Sequence, residues 1–118
     1  MALHTELPIF ARAYELLSLT IDVVGNMPRN IKPVVGKQLT EDCLAIADLI
    51  RGANVAQGAA KAEPLAKLVA QLQQVELLLR VARDKRFISI DQYAKAIKMT
   101  GDIGRQASAW RNKFRPVA

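Results

Sequence analysis

A chain of 118 residues has the length of one domain, and 51 % hydrophobic residues supply apolar surface for one sizeable core. Charge interrupts every apolar stretch short of the roughly 18–20 residues of a membrane span, so no spanning helix and no membrane partner are expected. Seventeen Lys and Arg against eleven Asp and Glu leave a formal charge of +6, a balance that points toward a polyanion such as nucleic acid.

The opening MALHTELPIF carries neither a basic leader region nor a continuous apolar run, and Cys43 is the lone cysteine, so a cytoplasmic location is expected. Pro8 suits the first turn of a helix because it has no amide hydrogen to leave unpaired there. From it, Phe10, Ala13, Tyr14, Leu17, Ile21 and Val24 recur at steps of three and four, predicting a helix over about 8–26 with that face inward. Gly25-Asn26-Met27-Pro28 ends it. A second helix, about 33–57, buries Val35, Leu39, Cys43, Ile46, Leu49, Ile50 and Ala53. The third, about 63–84, is the most regular, with Leu65, Leu68, Leu72, Val75, Leu79 and Ala82 forming a bundle seam. The fourth, about 90–114, opens on Ser89-Ile90-Asp91-Gln92, the spacing of a capping box. Tyr93, Ile97, Thr100, Gly104, Ala107 and Phe114 form its apolar face. Gly101 and Gly104 weaken helix propensity and imply a close approach to a neighbouring helix. No stretch has the period of a strand. Long helices with short connections predict an all-α fold, an antiparallel up-down-up-down four-helix bundle spanning residues 1–118 as a single domain.

Two helices carry more apolar surface than one face uses. On the first, Ile9, Leu16, Leu19 and Val23 lie beside the expected core face. On the third, Leu77 and Val81, continued by Ala66 and Ala70, point away from Leu72, Val75 and Leu79. Either both helices are broadly buried, or Leu16, Leu19, Val23, Leu77 and Val81 form a subunit interface. Two different patches on one chain suit a heterologous contact, which closes into a homo-oligomeric ring when the rotation allows.

Reactive groups are sparse. His4 is the only histidine and sits near a chain end; Cys43 falls on an apolar face with no histidine to activate it. The Glu-x-x-His pairs of bundle di-metal sites and phosphate-cradling glycine loops are both missing. No catalytic residue, metal, cofactor or small-molecule substrate is therefore expected. Asp42 and Glu76 flank apolar faces, and Glu63–Lys67, Glu76–Arg80 and Asp91–Lys95 have the i,i+4 spacing of helix-surface ion pairs.

In an up-down-up-down bundle the first and third connections meet at one end. The first brings Arg29 and Lys32, with Lys37 just inside the second helix; the third brings Arg80, Arg83, Lys85 and Arg86, offset only by Asp84. Lys95, Lys98 and Arg105 extend the charge along the fourth helix, while Arg111, Lys113 and Arg115 lie at the far end near Trp110 and Phe114. Like charges brought together by two distant loops repel unless a polyanion relieves them. The candidate nucleic-acid contacts are thus Arg29, Lys32, Lys37, Arg80, Arg83, Lys85, Arg86 and Lys95, binding phosphate with little sequence preference.

The run Val75-Glu76-Leu77-Leu78-Leu79-Arg80-Val81-Ala82-Arg83-Asp84, the following Lys85-Arg86-Phe87-Ile88-Ser89, and Tyr93 resemble the bacterial four-helix bundle proteins. So do Leu7-Pro8-Ile9-Phe10, Tyr14-Glu15-Leu16-Leu17, Ile103-Gly104 and Trp110. That family includes the accessory variability determinant (Avd) of diversity-generating retroelements and relatives encoded in intervening sequences of large-subunit ribosomal RNA genes. The similarity spans nearly the whole chain. It implies a basic homopentameric ring that binds a reverse transcriptase and template RNA, or an RNA/DNA hybrid, in support of mutagenic complementary-DNA synthesis. Within the basic end it selects Arg80, Arg83 and Arg86 first. Two other readings stay open: a ribosomal-RNA-intervening-sequence type protein of unknown role, and a structural oligomer or protein-interaction module that touches no nucleic acid.

Overall fold

The structure, a computed structural model, describes residues 3–114. Four helices carry it: α1 (Pro8–Gly25), α2 (Lys37–Val55), α3 (Ala62–Asp84) and α4 (Ile90–Lys113), with no strand among the described residues. α1 packs on α2 and α4, and α3 packs on the same two, so α1 and α3 occupy opposite corners of a four-helix arrangement. Short connections and side-chain contacts fix the directions. Thr20 of α1 meets Cys43 of α2, Glu76 of α3 meets Thr100 of α4, and Arg12 near the start of α1 meets Asp102 of α4. Residues Leu7–Ile9 also share a surface pocket with Gln106 and Lys113, so the start of α1 lies level with the end of α4.

Each helix starts and stops for a local reason. Pro8 fills the first turn of α1. A single π-helical turn, Lys32–Gly36, leads into α2, with the Gly36 amide donating to the Ile31 carbonyl. Ser89 and Gln92 form the reciprocal capping box at the start of α4, each side-chain oxygen accepting the other residue's backbone amide at 3.0 Å.

The core contains the whole expected seam of α3, Leu65, Leu68, Leu72, Val75, Leu79 and Ala82, together with Leu39, Cys43, Ile46, Ile50 and Ala53 of α2. From α4 it takes Ala96, Thr100, Ile103 and Ala107, with Tyr93 and Ile97 partly buried beside them. On α1 the expected face is rotated. Ile9, Ala13, Leu16, Thr20 and Val23 are buried, whereas Tyr14 and Ile21 are 65 % and 56 % exposed. Both stripes of α1 are apolar, so periodicity alone does not phase this helix. What phases it is polar: Arg12 sits one turn before Leu16, and its Nε donates to Asp102 Oδ2 at 2.6 Å.

Several smaller expectations also change. Glu76 does not pair with Arg80; its carboxylate accepts the buried Thr100 hydroxyl at 2.8 Å, and Asp91 and Lys95 form no ion pair. Glu63–Lys67 does form, at 3.2 Å. Gly104 needs no close approach, because a Cβ there would stand 3.7 Å from Leu72 Cδ1, an ordinary contact, and one at Gly101 would meet only the Arg105 side chain. The tight approach lies at Gly36, where a Cβ would come within 2.7 Å of Val24 Cγ1. Burial pushes the Cys43 thiol up to about 11, against a weaker opposing effect of its Thr20 contact.

Candidate nucleic-acid interface

The antiparallel order brings residues 26–31 and 85–89 to one end of the molecule. The second of these connections has unusual backbone chemistry. At the end of α3 the Phe87 amide donates to the Ala82 carbonyl at 2.8 Å and the Arg86 amide to the Arg83 carbonyl at 3.0 Å, the paired bonds of a Schellman motif. That motif requires a left-handed residue at its turn, usually glycine. Here the residue is Arg86, with φ of 62°. A left-handed L-residue costs roughly 1–2 kcal/mol. Such strain concentrates where a side chain is needed for function.

Arg83, one turn back, is held differently. Its guanidinium lies 4.5 Å from the Tyr93 ring centre, and its Nε and Nη2 both donate to Asp84 Oδ1, at 3.0 and 2.8 Å. The Asp84 hydrogen bonds, followed by weaker charge attraction, raise the Arg83 pKa further. The result is a cation fixed in place on an aromatic face. Between this pair and the start of α4 runs an open groove of about 700 Å³, lined by Arg83, Arg86, Phe87, Ile90 and Gln92 among others.

Among the described residues, Arg29, Lys32, Lys37, Arg80, Lys85, Arg86 and Lys95 are all exposed and none forms an ion pair; of the candidate contacts only Arg83 does. Arg29 and Lys32 lie at the α1–α2 connection, Lys37 opens α2, and Lys85 and Arg86 follow α3. Arg80 lies one turn before Arg83. Lys95 is seven residues from Asp102 and so lies on the α1-facing side of α4, away from the Arg83–Tyr93 contact. Six of the eight residues thus gather at one end with Arg80 close by, and Lys95 is the outlier. The sequence places Tyr93 on the apolar face of α4, and the structure makes it the platform for Arg83 as well; an aromatic ten residues beyond an arginine across a tight turn is the one trace of this in the sequence.

The far end has a structural use for its charge. Lys61 donates from Nζ to the Ala53 and Asn54 carbonyls at 2.8 and 3.3 Å, capping α2, and lies 5.6 Å from the Trp110 ring centre. Arg115, counted with this end, lies outside the described residues.

The proposed subunit-interface set divides. Leu16 and Val23 are 0 % and 3 % exposed and belong to the core, and Leu19 is half-buried against it, so these three present no free apolar stripe. The exposed apolar residues of α1 are instead Tyr14 and Ile21, which with Ser18 and the half-buried Leu17 line a small depression. Leu77 and Val81 do remain outside, at 60 % and 38 % exposure. Since α1 and α3 sit at opposite corners, the two stripes face opposite ways.

Among the described residues no group of His, Cys, Asp or Glu could hold a metal ion, and no helix is long and apolar enough to cross a membrane. The fold is a four-helix bundle, and the distinctive surface chemistry of this end is cationic. A family model described as bAvd-like matches residues 8–114, and the chain belongs to that family, an accessory and non-catalytic one. A search of curated proteins found no match.

Proposed function

We propose that this chain is the non-catalytic accessory subunit of a diversity-generating retroelement, binding template RNA and the reverse transcriptase to support mutagenic complementary-DNA synthesis in the cytoplasm. The observation that carries the RNA contact is the cluster of unpaired exposed cations at one end, one of them, Arg86, held in a strained left-handed conformation. Membership of the bAvd-like family supports the link to a reverse transcriptase. Arg29, Lys32, Lys37, Arg83, Lys85 and Arg86 contact phosphate, with Arg80 flanking them and Lys95 contributing only from the side. The working form is a homopentameric ring, in which the Tyr14–Ile21 stripe of one copy packs on the Leu77–Val81 stripe of the next; opposite-facing, non-identical patches support a heterologous contact.

The test is RNA binding across a salt series on purified protein whose oligomeric state is fixed by light scattering, together with co-purification of a co-expressed retroelement reverse transcriptase. Tight, steeply salt-dependent binding by an oligomer is expected. An intact oligomer that fails to bind RNA at low salt would leave only a protein-interaction role.

A further inference from the structure

We infer that the groove between the end of α3 and the start of α4 is a single-nucleotide subsite that takes an unpaired base of single-stranded RNA. This rests on the RNA-binding reading and specifies its ligand. The groove is an open surface depression of about 700 Å³, so a ligand lies along it with one side in water. Its wall combines two kinds of group that phosphate binding alone does not call for. Arg83 and Arg86 supply guanidinium donors, while Asp84 in the same lining is engaged by Arg83, which leaves Arg86 as the cation without an ion pair. Beside them Ile90, 77 % exposed, and the half-buried Phe87 supply an apolar surface.

A purely electrostatic site needs no apolar wall, and an A-form duplex would find no use for one. The duplex keeps its bases stacked inside and offers phosphates and 2′-hydroxyls, whereas unpaired bases can be splayed out onto apolar, aromatic and guanidinium surfaces. Here the cations and the apolar wall line one groove, so a phosphate on Arg86 leaves the attached base beside Ile90 and Phe87. Arg83, held over the Tyr93 ring, presents a fixed cation to the same space, and only one of its nitrogens outside the Asp84 contact remains to be shared with phosphate.

The polar complement is also present. Gln92 uses Oε1 in the capping box, which leaves its Nε2 hydrogens for a base edge. The same box occupies the Gln92 backbone amide with Ser89 Oγ, so the anion affinity of this groove comes from the two arginines and not from the helix terminus.

The experiment measures fluorescence anisotropy of the full chain with a short labelled single-stranded RNA and with the same RNA annealed to its complement. Ile90→Ser removes the apolar wall at an exposed position. Arg86→Asn removes a charge while keeping a residue type that tolerates positive φ. Ile90→Ser is expected to weaken single-strand binding about fivefold to tenfold, through lost apolar contact with the base, and to leave duplex binding unchanged. Arg86→Asn is expected to weaken both. Equal binding of the two RNAs, with Ile90→Ser affecting neither while Arg86→Asn weakens both, would overturn the base subsite and leave the RNA reading standing. Failure of every RNA to bind at low salt would overturn both.

Discussion

Replacing Arg86 by glycine should make the protein more stable and less able to bind RNA, a pairing that few surface substitutions produce. The stability gain comes from backbone strain. Arg86 holds φ at 62°, where an L-residue is disfavoured by roughly 1–2 kcal/mol and glycine is not. Glycine's greater freedom in the unfolded chain offsets about 0.4–1 kcal/mol of this. The side chain itself is exposed and without an ion pair, so its removal forfeits little. The net expectation is a gain of about 0.5–1 kcal/mol, or about 2–6 °C in Tm for a chain of this size. The assay is thermal and urea unfolding at matched protein concentration, since assembly would otherwise shift the apparent stability. On the binding side, loss of one phosphate contact lowers the single-strand salt slope by about 0.7. A destabilised variant would refute the strain argument. A stabilised variant with unchanged RNA affinity and salt slope would show that Arg86 is a tolerated accident of the turn.

Leu16→Ala should cost about 2–5 kcal/mol because Leu16 is fully buried, whereas Leu77→Ala should stay within about 0.5 kcal/mol for the dissociated chain; urea denaturation of both at low protein concentration separates core from surface. Gly36→Ala should destabilise by about 1–3 kcal/mol as its Cβ meets Val24, while Gly104→Ala should stabilise by up to about 1 kcal/mol through helix propensity. The Cys43 thiol is raised from 9.0 to about 11 in the folded protein, so its contribution is complete below pH 9 and lost as pH rises through about 11. Cys43→Ala should flatten that part of the alkaline stability profile, and native Cys43 should resist thiol reagents at pH 8 that label the unfolded chain readily.

The elements were legible because their ends are chemical and their faces periodic. Pro8, the Ser89–Gln92 box and the unbroken seam from Leu65 to Ala82 each determine local structure without help from the rest of the chain. The phase of α1 is not legible because its apolar arc is wider than one core face: Leu16 and Tyr14 both continue a three-four pattern, and Arg12, whose partner Asp102 is ninety residues away, lies nearer the Leu16 stripe. Glu76 shows the same limit, since Arg80 was its partner by spacing and Thr100, on another helix, is its partner in space. The basic end was legible as composition plus topology. Its sharper features, the left-handed Arg86 and the Tyr93 platform under Arg83, were not, because each depends on how a six-residue turn closes.

The two proposals, ring and basic end, make a joint prediction that neither makes alone. In a cyclic assembly every copy is related by rotation about one axis, so all equivalent ends of the bundle come to the same level if the bundles stand along that axis. Stripes on opposite corners, α1 and α3, favour this arrangement because the contacts then run around the ring and leave the ends of the bundles uncovered. An RNA strand crossing several adjacent basic ends binds with an affinity raised by linkage, by a factor that can reach about 10²–10⁴ over one end alone. Tyr14→Glu changes an exposed residue of the α1 stripe, about 16 Å along the helix from its end at the basic pole, so it should leave the isolated fold within about 0.5 kcal/mol of the original. It should nevertheless break the oligomer in light scattering and weaken binding of a long RNA by about 10²-fold, while a short RNA that spans one end binds as before. A variant that dissociates yet retains full affinity for long RNA would show that the stripes and the basic end serve separate purposes.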